Sequence, residues 1–428
     1  MFMHKRKNTY ISMTVICLLL FLLPDCSGSS FLSAGDTGNP GKITLTLWYW
    51  NRAIDDALIA RVQKQFPHIH FRPLKIGGGY DAKLRTSLAG HANIPDIVSI
   101  NSNIATYFPD EDQFVDIRTL EPPTLKQSYL DWKWQQATTP DGFVLALPMD
   151  TGPTALYYRA DLFKQAGLPT EPDAVAERLK TWEDYLQAGQ QMKQATGGKV
   201  FMFDNINTVF NQILGQGNLQ YFTAANQYVG NQNHVKQAWD YAARVHQLGL
   251  SAKATSYSTD WSAAISNNAI ASFVGAVWMK HRLKDAGPKT AGQWRIAYAP
   301  GGPGNAGGSF LAITKASQHP QEAFEVARWL LSAQNQVIAY QHTGLYPSAL
   351  ASLDNTALLQ PEPFFGGQIT TRIFSHVATQ IKAAPNNPDN DVVQGVIQRT
   401  LNMIELQDVD PQDAWQYAQQ QILRELSH

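Results

Sequence analysis

Cysteine is close to absent from this 428-residue chain: there are 2, Cys17 and Cys26, both near the N-terminus. No disulfide framework is therefore available to the folded part. Charge is also scarce. Only 16% of residues are Asp, Glu, Lys or Arg, where roughly a quarter is usual. The 34 basic residues face 35 acidic ones, for a net charge of -1. Without an excess of Lys and Arg the chain lacks the electrostatic footprint of nucleic-acid binding. The same balance argues against attachment to a membrane surface through a polybasic patch. Beyond residue 23 no apolar run is long enough to span a bilayer. An uncharged polar ligand fits this composition, as does a solvated neutral surface.

The motifs of covalent and phosphate chemistry are missing as well. There is no Gly-rich phosphate loop followed by Lys and Ser/Thr, and no G-x-S-x-G elbow. The glycine-rich 301–308 segment precedes a predicted strand instead of opening a helix, which is the wrong context for a dinucleotide fingerprint. His68 and His70 form an H-x-H that could ligate zinc from one strand face, or be strand histidines near solvent; no third ligand is signalled nearby. Acid and base of a glycosidase come from distant positions, so that chemistry stays open, but nothing singles out a pair. No repeat of solenoid period is present.

Hydrophobic residues make up 44% of the chain and aromatic ones 11%, which is enough for a sizeable core and excludes general disorder. At roughly 100–200 residues per domain, the length predicts two domains or one two-lobed unit. Lys5, Arg6 and Lys7 precede an apolar run from Tyr10 to Leu23 that ends at Pro24-Asp25-Cys26. That run is shorter than the ~20 residues of a spanning helix, and its basic head is that of a secretory signal. Cys26, with Leu23 three residues before it, stands where bacterial lipoprotein signals carry the acylated cysteine. Asp25 departs from the small residue expected there. Residues 1–26 are thus expected to be a lipoprotein signal peptide. Residues 27–41, opening with Ser27-Gly28-Ser29-Ser30, are expected to be a flexible tether.

Ile43, Leu45 and Leu47 alternate with threonines in a strand that ends at Trp48-Tyr49-Trp50-Asn51. Ile54, Leu58, Val62 and Phe66 recur every four residues, a helix that Pro67 ends. A strand over residues 68–76, a turn at Gly77-Gly78-Gly79-Tyr80, a helix and a third strand at Pro95–Ile100 complete an α/β alternation of parallel order. Farther on, Thr181 with Asp184 makes an N-terminal capping pair, and a helix covers about Val235–Leu248. Strands are expected at Ala269–Gly275 and Ser309–Thr314, with helices opening at Pro320 and at Asp410-Pro411.

Tryptophan is the strongest chemical signal, with 11 in the chain. Trp50, Trp261 and Trp278 fall near predicted strand ends or in loops. An indole face can lie flat on the apolar face of a pyranose while Asp, Asn and Arg take the hydroxyls. The competing reading for each is a core residue, and it is the better one for Trp48, Trp239 and Trp329.

Several blocks in one order carry a resemblance: Leu45–Trp50, Pro95-Asp96-Ile97-Val98, Leu147–Asp150 followed by Ala155–Pro169, and Thr181–Tyr185. Gly307-Gly308, His319–Ala323 and Gly344–Pro347 continue it. Together they resemble the extracellular solute-binding proteins of bacterial ABC importers, in the sugar-binding group that includes maltodextrin binders. Members usually have Asn where Arg159 stands. The resemblance covers nearly the whole chain after the signal. It implies an α/β, two-lobed periplasmic-binding-protein fold with a ligand cleft between the lobes. Lobe 1 would comprise 42–150 and 295–345, lobe 2 151–294 and 346–428, with hinge crossovers near Asp150, 295–300 and 346.

It further implies capture of a sugar or oligosaccharide by lobe closure and delivery to permease subunits, by a monomer held to the membrane through a lipid anchor only. No catalytic residue, cofactor, metal or nucleic acid is expected. The cleft residues implied are Trp50, Asn51, Tyr80, Asp81, Asn101 and Asp150, with Asp96 either among them or a structural cap. Gly307 and Gly308 would offer backbone amides, and on the second lobe the implied residues are Trp261, Trp278, Phe365 (with Phe364) and Arg372. A non-sugar solute such as a polyamine, glycerol phosphate or peptide remains an alternative, as do a secreted glycan-active enzyme and a sensory protein on the same lobes.

Overall fold

A computed structural model describes residues 42–121 and 123–427; the expected signal peptide, Cys26 and the tether lie outside them. Ten strands are found among the described residues: β1 (Ile43–Trp50), β2 (Ile69–Ile76), β3 (Ile97–Ile100), β4 (Leu147–Pro148), β5 (Asp150–Thr151), β6 (Thr154–Arg159), β7 (Ser272–Ala276), β8 (Trp294–Ala297), β9 (Phe310–Ile313) and β10 (Tyr346–Pro347). They form a five-stranded sheet ordered β2-β1-β3-β9-β4, a three-stranded sheet ordered β7-β6-β8, and the short pair β10-β5. The predicted parallel order holds for β1 with β2 and β3. β9 and β4 then join antiparallel, and the whole second sheet is antiparallel.

Side-chain alternation divides each sheet between two cores. On the first sheet Leu45, Leu47 and Tyr49 face one cluster with Ile97, Leu311 and Ile313. Trp48, Val98, Phe310 and Ala312 face the other. On the second, Leu156, Tyr158 and Val274 turn to one side, and Ala155, Tyr157 and Phe273 to the other. The inner strands are therefore buried on both faces, whereas the edge strand β2 is largely exposed.

The helices close these faces and begin where local chemistry dictates. Asp55 accepts from the Ala57 N–H at 3.0 Å to start the helix Asp56–Gln65, which buries Leu58, Ile59 and Val62. Thr181 and Asp184 form a reciprocal capping box ahead of Trp182–Ala195. Asp410 caps Pro411–Glu425 through the Gln412 and Asp413 N–H groups. No described helix is long and apolar enough to cross a membrane.

The chain passes between the sheets three times, at 149–153, after β8, and at β10. β8 belongs to the second sheet, through the register Tyr157↔Ile296. The second crossing therefore begins after Ala297, and the boundary expected at residue 295 moves. Three expected site residues prove structural. Asp96 accepts from Thr46 N–H and Oγ1 at 2.7 Å each, and its other oxygen accepts from Ser317 Oγ at 2.6 Å. It ties β1 to the turn after β9. Trp261, 1% exposed, stands edge-on against Phe273 in the core, and Phe365, fully buried, packs near Tyr157. Neither ring is free to meet a ligand, because the antiparallel sheet and its helix cover seal both.

Asp96→Ala should cost about 1–3 kcal/mol of stability, the range for hydrogen bonds to a charged group. Chemical denaturation reads that loss, and ligand affinity of the folded variant should be unchanged.

Candidate functional site

The three crossings are knit at one place. β5 pairs with β10, and the Ser309 N–H donates to Asp150 Oδ1 at 2.7 Å. Asn305 accepts from the Gly152 N–H at 2.9 Å and donates to the Gly307 carbonyl at 2.9 Å. Gly308 has φ of 95°, and a Cβ there would stand 2.6 Å from the Asp150 carbonyl and 2.8 Å from Lys133 Nζ. Lys133 is fully buried. Its ammonium lies 3.6 Å from the Phe310 ring centroid and donates to Gln136 Oε1 at 3.3 Å. Burial pushes this lysine down and the Asp150 carboxyl up, while each one's charge favours the other's.

Around this knot lie two adjoining compartments. The first, about 320 Å³, is walled by Trp278 and Tyr257, with Gly275 and Ala276 of β7 behind them. The two rings are 5.4 Å apart and tilted by 33°. Trp278 Nε1 donates to the Ala306 carbonyl at 3.3 Å, so its indole edge is held by the second crossing. Arg282 sits 5.8 Å over the Tyr257 ring. Asp204 forms the floor. It accepts from the Asn205 N–H at 2.8 Å and Ser256 Oγ at 3.0 Å, while burial and, more weakly, the Glu405 carboxylate push it from 3.8 to about 7.

The second compartment, about 440 Å³, shares Asn211, Gln212, Ala306 and Gln398 with the first. Its other wall comes from the first-sheet side, at 102–106 and Gln136. Amides line both spaces and dominate the second. Asn390, Gln394, Gln398 and Asn402 recur every four residues on the helix Asn390–Gln407, facing Asn207 and Asn211 on the helix Ile206–Gly215. Asn207 donates to Asn402 Oδ1 and Gln394 to Asn211 Oδ1, both at 2.7 Å. The buried amide oxygens of Asn103, Asn207 and Asn390 have no hydrogen-bond partner.

Of the expected site residues, Trp278 lines the first compartment and Gly307 the second. Gly308 and Asp150 lie in the hinge knot. Tyr80 is buried and donates to the Trp48 and Ser99 carbonyls, so its hydroxyl is spent on holding β1 to β3. Trp50 is half-buried and stands 5.2 Å from Tyr80, edge to face, and Asn51 is exposed beside it. Asn101 turns its Oδ1 back to the Ser102 N–H. Asp81 lies at the surface, raised by burial and, against the pull of Arg85, by the Asp391 charge; Asp391 lines the second compartment. Arg372 is exposed and lines neither space. Sequence reasoning missed Tyr257, Asp204 and the amide stripe. The i, i+4 repeat of Asn390, Gln394, Gln398 and Asn402 was a readable signal for the last.

No described group of three or more His, Cys, Asp and Glu side chains could hold a metal ion. His68 and His70 are exposed at the sheet-edge strand β2 and its approach.

Asp204 gives a pH dependence with a definite sign. Below pH 4 both folded and unfolded chains keep its proton. Between about pH 4 and 7 the unfolded chain releases the proton while the folded one retains it, so stability falls as pH rises through that window. Thermal melts of the wild type should drop between about pH 4 and 7. Asp204→Asn should shrink the drop by more than the ~1.4 kcal/mol that one pKa unit represents; equal drops in both proteins would refute the assignment. Gly308→Ala should fail to reach wild-type stability at any pH, as read by the same melts.

Comparison with known proteins fits this geometry. A family model for bacterial extracellular solute-binding proteins matches residues 57–363. A lactose-binding protein of Rhizobium radiobacter is 26% identical over 364 residues, 79% of this chain and 83% of its own. An arabinooligosaccharide-binding protein of Bacillus subtilis (strain 168) is 23% identical over 341 residues, 75% of each. A crystal structure of an extracellular solute-binding protein of family 1 superposes with a TM-score of 0.85 at 28% identity, over 89% of this chain and 99% of that one. The chain belongs to the bacterial extracellular solute-binding proteins, which act outside the cytoplasm.

Proposed function

We propose that this protein captures a neutral sugar or oligosaccharide in the cleft between its two sheets and presents it to the permease of an ABC importer, without turning it over. The observation that carries the reading is the lining itself: a tilted Trp278–Tyr257 pair beside facing rows of amides. An amide offers two donors and an acceptor without charge, which matches a ring of hydroxyls. The indole and phenol faces bury the apolar C–H faces of the sugar, at roughly 25 cal/mol per Å². The names of the lactose-binding and arabinooligosaccharide-binding relatives support the same ligand class. A glycerol phosphate would call for a basic cluster, and none lines the two compartments; Asp204 and Asp391 stand in separate compartments rather than as one acidic cluster for a polyamine.

Lobe closure follows from differential affinity alone: a ligand touching both walls favours the closed arrangement by the contacts it makes only there. Acylation at Cys26, with residues 27–41 as tether, would keep the monomeric binding unit beside its permease.

A thermal-shift screen against mono- and oligosaccharides, polyamines and glycerol phosphates tests the reading. A ligand at about 100 times its Kd adds roughly 2.7 kcal/mol, and the sugar should be recovered unchanged. A shift from a charged solute alone, or consumption of the sugar, would overturn the proposal. Trp278→Ala should weaken binding more than about tenfold, or ~1.4 kcal/mol, while the variant still melts cooperatively. Cys26→Ala should move the protein from the membrane to the soluble fraction on cell fractionation.

A further inference from the structure

The two compartments do not end the cleft. A third space, about 590 Å³, opens beyond the second one and shares Asn386 and Asn387 with it. Its chemistry is different. Phe108, Pro140, Ala383, Ala384 and Pro385 give it apolar walls, with Gln135 and Asn226 at intervals. Asn386, at the junction, donates to the Gln136 carbonyl at 3.0 Å, and Asn387 donates to Asn226 Oδ1 at 2.5 Å. The first contact ties the 383–388 segment to the first-sheet side, and the second ties it to the Phe222–Tyr228 hairpin of the second-sheet side.

The amide stripe provides a ruler. Asn390 to Asn402 spans twelve residues of one helix, or about 18 Å at 1.5 Å per residue. Gln398 and Asn402 line the first compartment, and Asn390, Gln394 and Gln398 the second. The polar wall thus continues past the aromatic pair for longer than one pyranose ring, and Asn387 and Asn386 carry it on toward the third space. The unpartnered amide oxygens are spread in the same way: Asn207 lines the first compartment, and Asn103 and Asn390 line the second.

Resting on the sugar-binding reading above, we infer that the cleft is built for a linear neutral oligosaccharide of at least three units. One terminal sugar lies on Trp278 and Tyr257, the next lies among the amides, and the third emerges between Phe108 and the 383–388 segment. The apolar mouth takes the C–H faces of that third unit, and its open side lets longer chains extend into solvent. The order follows from the walls. The second compartment shares lining residues with both of the others, and the first and third share none with each other.

Isothermal titration of the purified protein with mono-, di-, tri- and tetrasaccharides of galactose, arabinose and glucose series tests the inference. In the series that binds, affinity should rise by at least about tenfold from one unit to three and change little from three to four. Ala384→Trp, which fills the mouth, should remove the gain from the third unit and leave disaccharide affinity within about twofold of wild type. Ala224→Trp, at another residue lining the third space, serves if the first variant does not fold by circular dichroism. Equal affinity for one and three units, or mouth variants that bind the trisaccharide as the wild type does, would overturn the inference while leaving sugar capture intact. Binding of charged solutes and of no sugar at any length would overturn the proposed function itself.

Discussion

Asp150 stands in the first chain crossing with its carboxylate out of water, and much of the molecule is arranged around keeping it there. The Ser309 N–H from the second crossing satisfies one oxygen, the third crossing pairs with it as β10, and Lys133 is the neighbouring cation. A buried charge is costly unless it is met by an opposite charge and by directed hydrogen bonds. Meeting both requires three chain segments to converge on one point, which fixes where the two sheets can pivot. Gly308 completes the constraint, because no side chain fits between Asp150 and Lys133.

The walls of the cleft follow a different logic. Their amides are paired with one another across two helices, Asn207 with Asn402 and Gln394 with Asn211. Each pair uses one donor and one acceptor, and the Tyr221 hydroxyl donates to the Gln394 oxygen as well. Rows held in this way are preorganised, so less ordering entropy is lost when a ligand arrives. Neutrality then has a function. A charged wall would bind ions and water tightly and discriminate poorly among uncharged polyols.

Local features were legible in the sequence because they are decided within a few residues. The alternation at Ile43, Leu45 and Leu47, the Thr181–Asp184 box and the Asp410-Pro411 start depend on neighbours in the chain. Trp278 could be read from its place after Gly275, at the end of a strand. Trp261 and Phe365 could not be told from it, since their burial depends on helices packed from elsewhere. Asp96 has a residue type suited to either role, and only the approach of Thr46 and Ser317 decides it. The amide stripe obeys a plain helical period, yet Asn and Gln at that spacing ordinarily mark a solvated face. What turned it inward was the position of the helix Ile206–Gly215.

The strand order of the first sheet bears on how the chain is made. β3 is the fully buried Ile97–Ile100, and its second neighbour, β9, follows it only after about two hundred further residues. A chain emerging from its N-terminus would present β3 with one edge unpaired through the synthesis of the entire second sheet. Loop closure over that span is slow, and an open apolar edge invites pairing between molecules. Export in an unfolded state, with folding deferred until both edges are available, would remove that hazard. The topology thus favours a chain that folds only once it is complete.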